Sequence, residues 1–240
     1  MTAPCAPRSG EGQLAEFGAY LSAIASLVRK DLAVEWRSRQ LLASMLVFAL
    51  LMILIFNFAL ELDARARAEV SSGVLWATFA FAGTLGLNRS MSIEKDGGAL
   101  DGLLLAPFDR SAIYFGKTLA NMLFVLVVAL ATLPVYGVLY NIDLWHGGLL
   151  LVIVLGAWGY SAVGTLLAAM AMQARSRDLL LPVLLFPLLL PVLVAAVRAS
   201  SFFLQGLEME YIWPSLNLLI AYAVIMPALG FMFFDFIVED

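Results

Sequence analysis

The chain has 240 residues, 62% of them apolar and 13% charged, with a mean hydropathy of +0.94. Soluble domains carry about 45–50% apolar and about 25% charged residues, so a water-soluble enzyme and a disordered chain are excluded and a bilayer is required. With 14 basic against 18 acidic residues the net charge of −4 has the wrong sign for neutralising phosphates, which excludes a nucleic-acid partner.

Residues 1–16, with Pro4, Pro7, Ser9, Gly10 and Gly12, read as a disordered lead. The first apolar run starts 40 residues in and is too long for the h-region of a cleavable signal. Cys5, the single cysteine, follows no apolar stretch, so a lipoprotein reading fails; alone it makes neither an internal disulfide nor a thiolate metal site. Residues 17–39 place Leu21, Ile24, Leu27, Val28, Leu32 and Trp36 near helical spacing, with Arg29, Lys30 and Arg37 to the other side. That pattern predicts an amphipathic helix in the membrane interface, with a solvated lead helix as the alternative. Asp31 and Glu35 fall inside the stripe, where they would pair with cations of a neighbouring chain or reach water.

A membrane helix needs about 20 mostly apolar residues. Six runs qualify, at about 41–60, 70–87, 118–140, 148–172, 179–197 and 215–238. Irregular backbone cannot face lipid, and no short alternating β segments are visible. The expected fold class is an all-α membrane protein with six transmembrane helices. Eleven of the fourteen Lys and Arg residues lie before the first run, after the second or after the fourth, which puts both termini in the cytoplasm.

Two runs carry small residues on one face: Gly73, Ala77, Ala80 and Thr84 in the second, and Ala157, Ser161, Gly164 and Ala168 in the fourth. Such faces let helices approach closely, either inside the bundle or as a homodimer seam. The fifth run holds Pro182, Pro187 and Pro191, which predict a kinked or locally unwound helix serving as a moving gate, a substrate passage or static packing. Pro134 and Pro227 add milder kinks to the third and sixth.

The 30-residue connection Asn88–Lys117 is long for a compact protein. Within it Leu100, Leu103 and Leu104 would form one apolar ridge on a short helix that Pro107 stops, rimmed by Glu94, Asp96, Asp101 and Asp109. A ridge of this kind suits a partner's groove or the membrane surface. Gly116-Lys117-Thr118 imitates the end of a phosphate-binding loop. Ser111 stands where that motif needs glycine, however, and a span follows where a strand should precede. The chain is therefore expected to have no nucleotide site of its own, and Lys117 anchors the start of the third span.

Catalytic chemistry is thin, and no catalytic or metal-ligating set is assigned. The only histidine, His146, lies in an outer loop beside Asp143 and Trp145, where it stands in water, ligates a haem or, more remotely, reaches Ser161 as a hydrolytic dyad.

Six spans, a basic interfacial helix and a long loop after the second span resemble the ABC-2 class of ABC transporter permeases. The run Glu94-x-x-x-Gly98-x-Leu100-x-x-Leu103-Leu104-x-x-Pro107 looks like that class's cytoplasmic coupling segment, with Gly116-Lys117 at the next span. Within the class the chain most resembles the CcmB family. That match rests on Lys30-Asp31-Leu32, Trp36-Arg37, Leu103-Leu104-Leu105-Ala106-Pro107, and Phe186-Pro187 with Pro191. The resemblance covers about residues 27–240; the lead and the acidic tail Asp235, Glu239 and Asp240 depart from it.

The resemblance implies a non-enzymatic half-transporter of the bacterial inner membrane. A separate ATPase similar to CcmA would push on residues 94–107 and shift the bundle between two arrangements. Such a shift requires that the ATPase bind the two arrangements with different affinity. The assembly would serve haem delivery to a periplasmic chaperone in c-type cytochrome biogenesis, alongside a haem-handling protein similar to CcmC. Haem is then a handled ligand and no cofactor is held stably. The rival readings are an exporter of drugs, lipids or polysaccharides of the same class, and an intramembrane hydrolase.

Overall fold

The computed structural model describes residues 9–60, 64–96, 109–142, 147–173 and 177–238. Among these the chain forms seven helices and no strand: α1 (Ser9–Ser38), α2 (Gln40–Ala59), α3 (Ala64–Asp96), α4 (Arg110–Tyr140), α5 (Gly147–Gln173), α6 (Arg177–Leu204) and α7 (Met209–Val238). Six, α2 to α7, contain segments long and apolar enough to cross a membrane. The chain is a multi-pass membrane protein.

Helix α1 starts at Ser9, inside the stretch expected as a lead, because no proline follows Pro7 to interrupt it. Helix α4 starts at Arg110, well before residue 118. Its 31 residues measure about 46 Å against about 30 Å of hydrocarbon. The first two turns, which hold Arg110 and Lys117, thus precede the apolar run read from the sequence. They are nevertheless covered: Ser111, Ala112, Ile113, Tyr114 and Lys117 are buried where α1 and α7 pack against α4.

Helices α3 and α5 form the centre of the bundle, and α2 and α7 its periphery. The small-residue face of α5 lies wholly inside the chain, with Ala157, Ser161, Gly164 and Ala168 all buried. Gly164 meets Leu87 of α3, and Gly156 lets the Trp76 ring of α3 lie against the α5 backbone. The face on α3 is divided. Ala80 and Thr84 are buried, whereas Gly73 and Ala77 are only half-buried, with open space beside Gly73.

Several polar side chains in the spans are matched across helices. Thr84 Oγ1 lies 3.0 Å from Tyr160 Oη, and the Tyr160 hydroxyl also reaches the Ala80 carbonyl at 3.1 Å. Trp76 Nε1 donates to Ser200 Oγ at 2.9 Å, and the Tyr136 hydroxyl donates to the Ser71 carbonyl. Hydrocarbon offers these groups no partner, so each bond ties one helix to another.

The close approach gives a paired prediction. Gly156→Ala forces a Cβ into the Trp76 ring and destabilises the protein by about 3 kcal/mol through overpacking. Gly73→Ala, facing open space, stays within about 1 kcal/mol of wild type. Thermal unfolding in detergent, followed by intrinsic fluorescence, distinguishes the two.

Candidate functional site

The segment expected to couple to a partner leaves α3 and re-enters the bundle as α4. Glu94 lies in the last turn of α3. Gly98, Leu100, Leu103, Leu104 and Pro107 lie outside the described residues, as does His146. What the structure defines is the receiving end: α4 begins at Arg110, three residues after Pro107, and α1 lies along it.

Three contacts fasten α1 to α4. Tyr20 Oη donates to Ser111 Oγ at 3.2 Å, Leu27 packs on Gly116, and Lys117 Nζ bonds Asp31 Oδ2 at 2.6 Å. The Lys117 side chain is 4% exposed and that of Asp31 is 10% exposed. Lys30 Nζ also stands 3.4 Å from Asp31 Oδ1, at the wetter edge. A satellite core of Leu27, Ile113, Tyr114 and Phe234 joins α1, α4 and α7 at the same end. Asp31 therefore does not await a neighbouring chain or open water; its partner is the lysine expected to act as an anchor.

Glu35 is buried too, at 4% exposure, and its role is to start the next helix. Its Oε1 accepts the Leu42 N–H at 2.8 Å, and its Oε2 lies 3.4 Å from Ser38 Oγ. The first amides of a helix have no partner within it, so a carboxylate reaching back across the break satisfies one and complements the helix dipole. Between α1 and α2 stands the single residue Arg39, in the left-handed region at φ 54°. That conformation costs a non-glycine residue about 1–2 kcal/mol, and the Glu35 contacts across the break help hold it. Arg89 of α3 donates to Gln40 Oε1 at 2.7 Å, tying the hinge to the end of α3 nearer the coupling segment.

The apolar stripe on α1 is divided between an inward and an exposed face. Ala23, Leu27, Asp31 and Glu35, four residues apart, form the inward face, while Leu21, Leu32 and Trp36 are exposed.

Of the two expectations for Pro182, Pro187 and Pro191, a kink or local unwinding, the unwinding is not seen: helix α6 is continuous from Arg177 to Leu204. Its inward face is Leu181, Leu185, Leu189 and Val192, while Pro187 and Pro191 face outward from the single chain. The Tyr222 hydroxyl of α7 donates to the Leu188 carbonyl in the turn before Pro191, tying α6 to α7. Ser161 is fully buried and lies fourteen residues along α5 from Gly147, about 21 Å away. The other member of the considered dyad, His146, lies outside the described residues.

The Asp31–Lys117 contact sets a further expectation. Asp31→Asn leaves a lysine buried beside a neutral group and costs about 3 kcal/mol. Lys117→Met costs less, since Lys30 stays beside Asp31, and the double substitution Asp31→Asn/Lys117→Met regains most of the loss. Melting temperatures of the four proteins in one detergent measure the coupling.

Comparison with known proteins agrees with this architecture. The family model described as CcmB protein matches residues 22–234. Heme exporter protein B of Rhodobacter capsulatus is 28% identical over 189 residues, covering 77% of this chain and 85% of that protein. Heme exporter protein B of Bradyrhizobium diazoefficiens is 26% identical over 187 residues, covering 78% and 84%. Its counterpart in Pseudomonas aeruginosa is 26% identical over 182 residues, covering 75% and 82%. With the match extending from the middle of α1 to the end of α7, the chain belongs to the CcmB family.

Proposed function

We propose that this chain is the membrane-embedded permease subunit of a haem-exporting ABC transporter. Family membership over residues 22–234, with relatives named Heme exporter protein B, carries the reading. ATP hydrolysis then belongs to a separate ATPase, similar to CcmA, docking on residues 94–107. A haem-handling membrane protein similar to CcmC and a periplasmic haem chaperone receive the output in c-type cytochrome biogenesis. Both termini face the cytoplasm of a bacterial inner membrane. The distribution of Lys and Arg supports this orientation, and α1, the start of α4 and the end of α7 share one end of the bundle.

The mechanism follows from what adjoins the docking segment. Force applied to residues 94–107 arrives at the N-terminus of α4. There the Asp31–Lys117 pair carries it into α1, and the Glu35 contact carries it across Arg39 into α2. The ATPase biases the bundle only by binding one arrangement more tightly than the other. Pro182, Pro187 and Pro191 serve as the flexible wall of the pathway on the outward face of α6.

Two measurements test this. Leu103→Asp with Leu104→Asp abolishes co-purification of the ATPase and lowers c-type cytochrome at least about tenfold, by haem staining, while the permease remains in the membrane. Unchanged association overturns the docking role. Cys5, the only cysteine, reacts with a membrane-impermeant maleimide only after cells are permeabilised; labelling of intact cells overturns the orientation.

A further inference from the structure

Helices α1 and α4 touch closely at Leu27 and Asp31 but diverge on one side of that contact, leaving an open groove of about 710 Å³. Leu32, Ala33 and Trp36 line one wall, and Leu119, Met122 and Leu123, the first apolar turn of α4 after Lys117, line the other. Arg29 is the one charged residue in an otherwise apolar lining. Water does not stably fill an apolar crevice, and at this depth on a membrane helix hydrocarbon is the available filler.

Among the described side chains from Leu21 to Arg39 the exposed charge is all positive, although the whole chain is net negative. Arg29, Arg37 and Arg39 are exposed, whereas the nearby carboxylates of α1, Asp31 and Glu35, are turned inward onto Lys117 and the Leu42 amide. Glu16, the next exposed acidic side chain described on α1, is thirteen residues from Arg29, about 20 Å along the helix. The inward carboxylates thus leave a cationic rim above an apolar slot. A second copy docked symmetrically on this face would set the same arginines against each other.

We infer that the groove binds one anionic phospholipid, its acyl chain lying between Trp36 and Leu123 and its phosphate at Arg29. Basic pockets beside membrane helices recognise acidic head groups in this way, each cation near the surface contributing roughly 1 kcal/mol, or about fivefold in affinity. The lipid would fill the crevice beneath α1 and so become part of the contact between α1 and α4.

The test uses the purified full chain, without any ATPase, so its outcome is separable from that of the transport reading. Micelles are loaded with dioleoylphosphatidylglycerol or dioleoylphosphatidylcholine, and retained lipid is counted by native mass spectrometry. Wild type retains one phosphatidylglycerol at least about fivefold better than phosphatidylcholine. Arg29→Glu removes that preference, Arg29→Lys keeps it, and Ala33→Trp, which fills the groove from an exposed position, lowers retention of both lipids. Equal retention of the two lipids by wild type overturns the proposal, as does undiminished retention in Arg29→Glu and Ala33→Trp. A dimer mass dispersed by Ala33→Trp assigns the groove to a second copy instead. A haem Soret band lost in the same variant assigns it to haem; either result overturns the lipid site.

Discussion

Hydrocarbon supplies no hydrogen-bond partner, and the interior of this bundle is arranged around that shortage. The side chains that satisfy it are few and far apart in sequence. The Trp76 indole reaches Ser200, the Tyr160 hydroxyl reaches Thr84 and the Ala80 carbonyl, and Asn121 bonds Thr165 at 2.9 Å. Each bond joins two spans that apolar contact alone would leave free to slide, because lipid tails are as apolar as the leucines between them. The same shortage explains the chemistry at the α1 end, where two carboxylates and a lysine are buried only because each is occupied.

That end of the molecule differs in kind from the rest. The main core runs through α2 to α7, whereas α1 contributes to a small separate cluster with α4 and α7 and is otherwise held by polar contacts. A helix fastened by an ion pair, a hydroxyl bond and a single strained hinge residue has discrete attachments, and discrete attachments suit an element that must shift as a unit. Helix α6 is continuous through its three prolines, and the discrete attachments of α1 sit beside the coupling segment.

Composition alone made the six spans legible, because length and apolarity suffice to define a crossing. The partners of Asp31 and Glu35 were not legible. On a helix bound for a membrane, the face toward protein and the face toward lipid are both apolar, so periodicity cannot say which is which. Residues 23, 27, 31 and 35 are inward only because Gly116 lets Leu27 approach and Lys117 stands one residue further on, a long-range fact. The early start of α4 was hidden for a similar reason: Ser111 and Lys117 read as loop until α1 covers them. The leucines of the coupling segment were singled out from their spacing and from family resemblance, and they lie outside the described residues.

The second span has a consequence for biosynthesis. Segment Val70–Ser90 of α3 is the least apolar of the six and the most enclosed, so on its own it partitions weakly from the translocon into lipid. The tyrosine that occupies Thr84 is synthesised 76 residues later, and the serine that occupies Trp76 follows that tryptophan by 124. Stable residence of α3 in the bilayer therefore waits on downstream chain, and the nascent protein must keep its second crossing sheltered until α5 and α6 emerge.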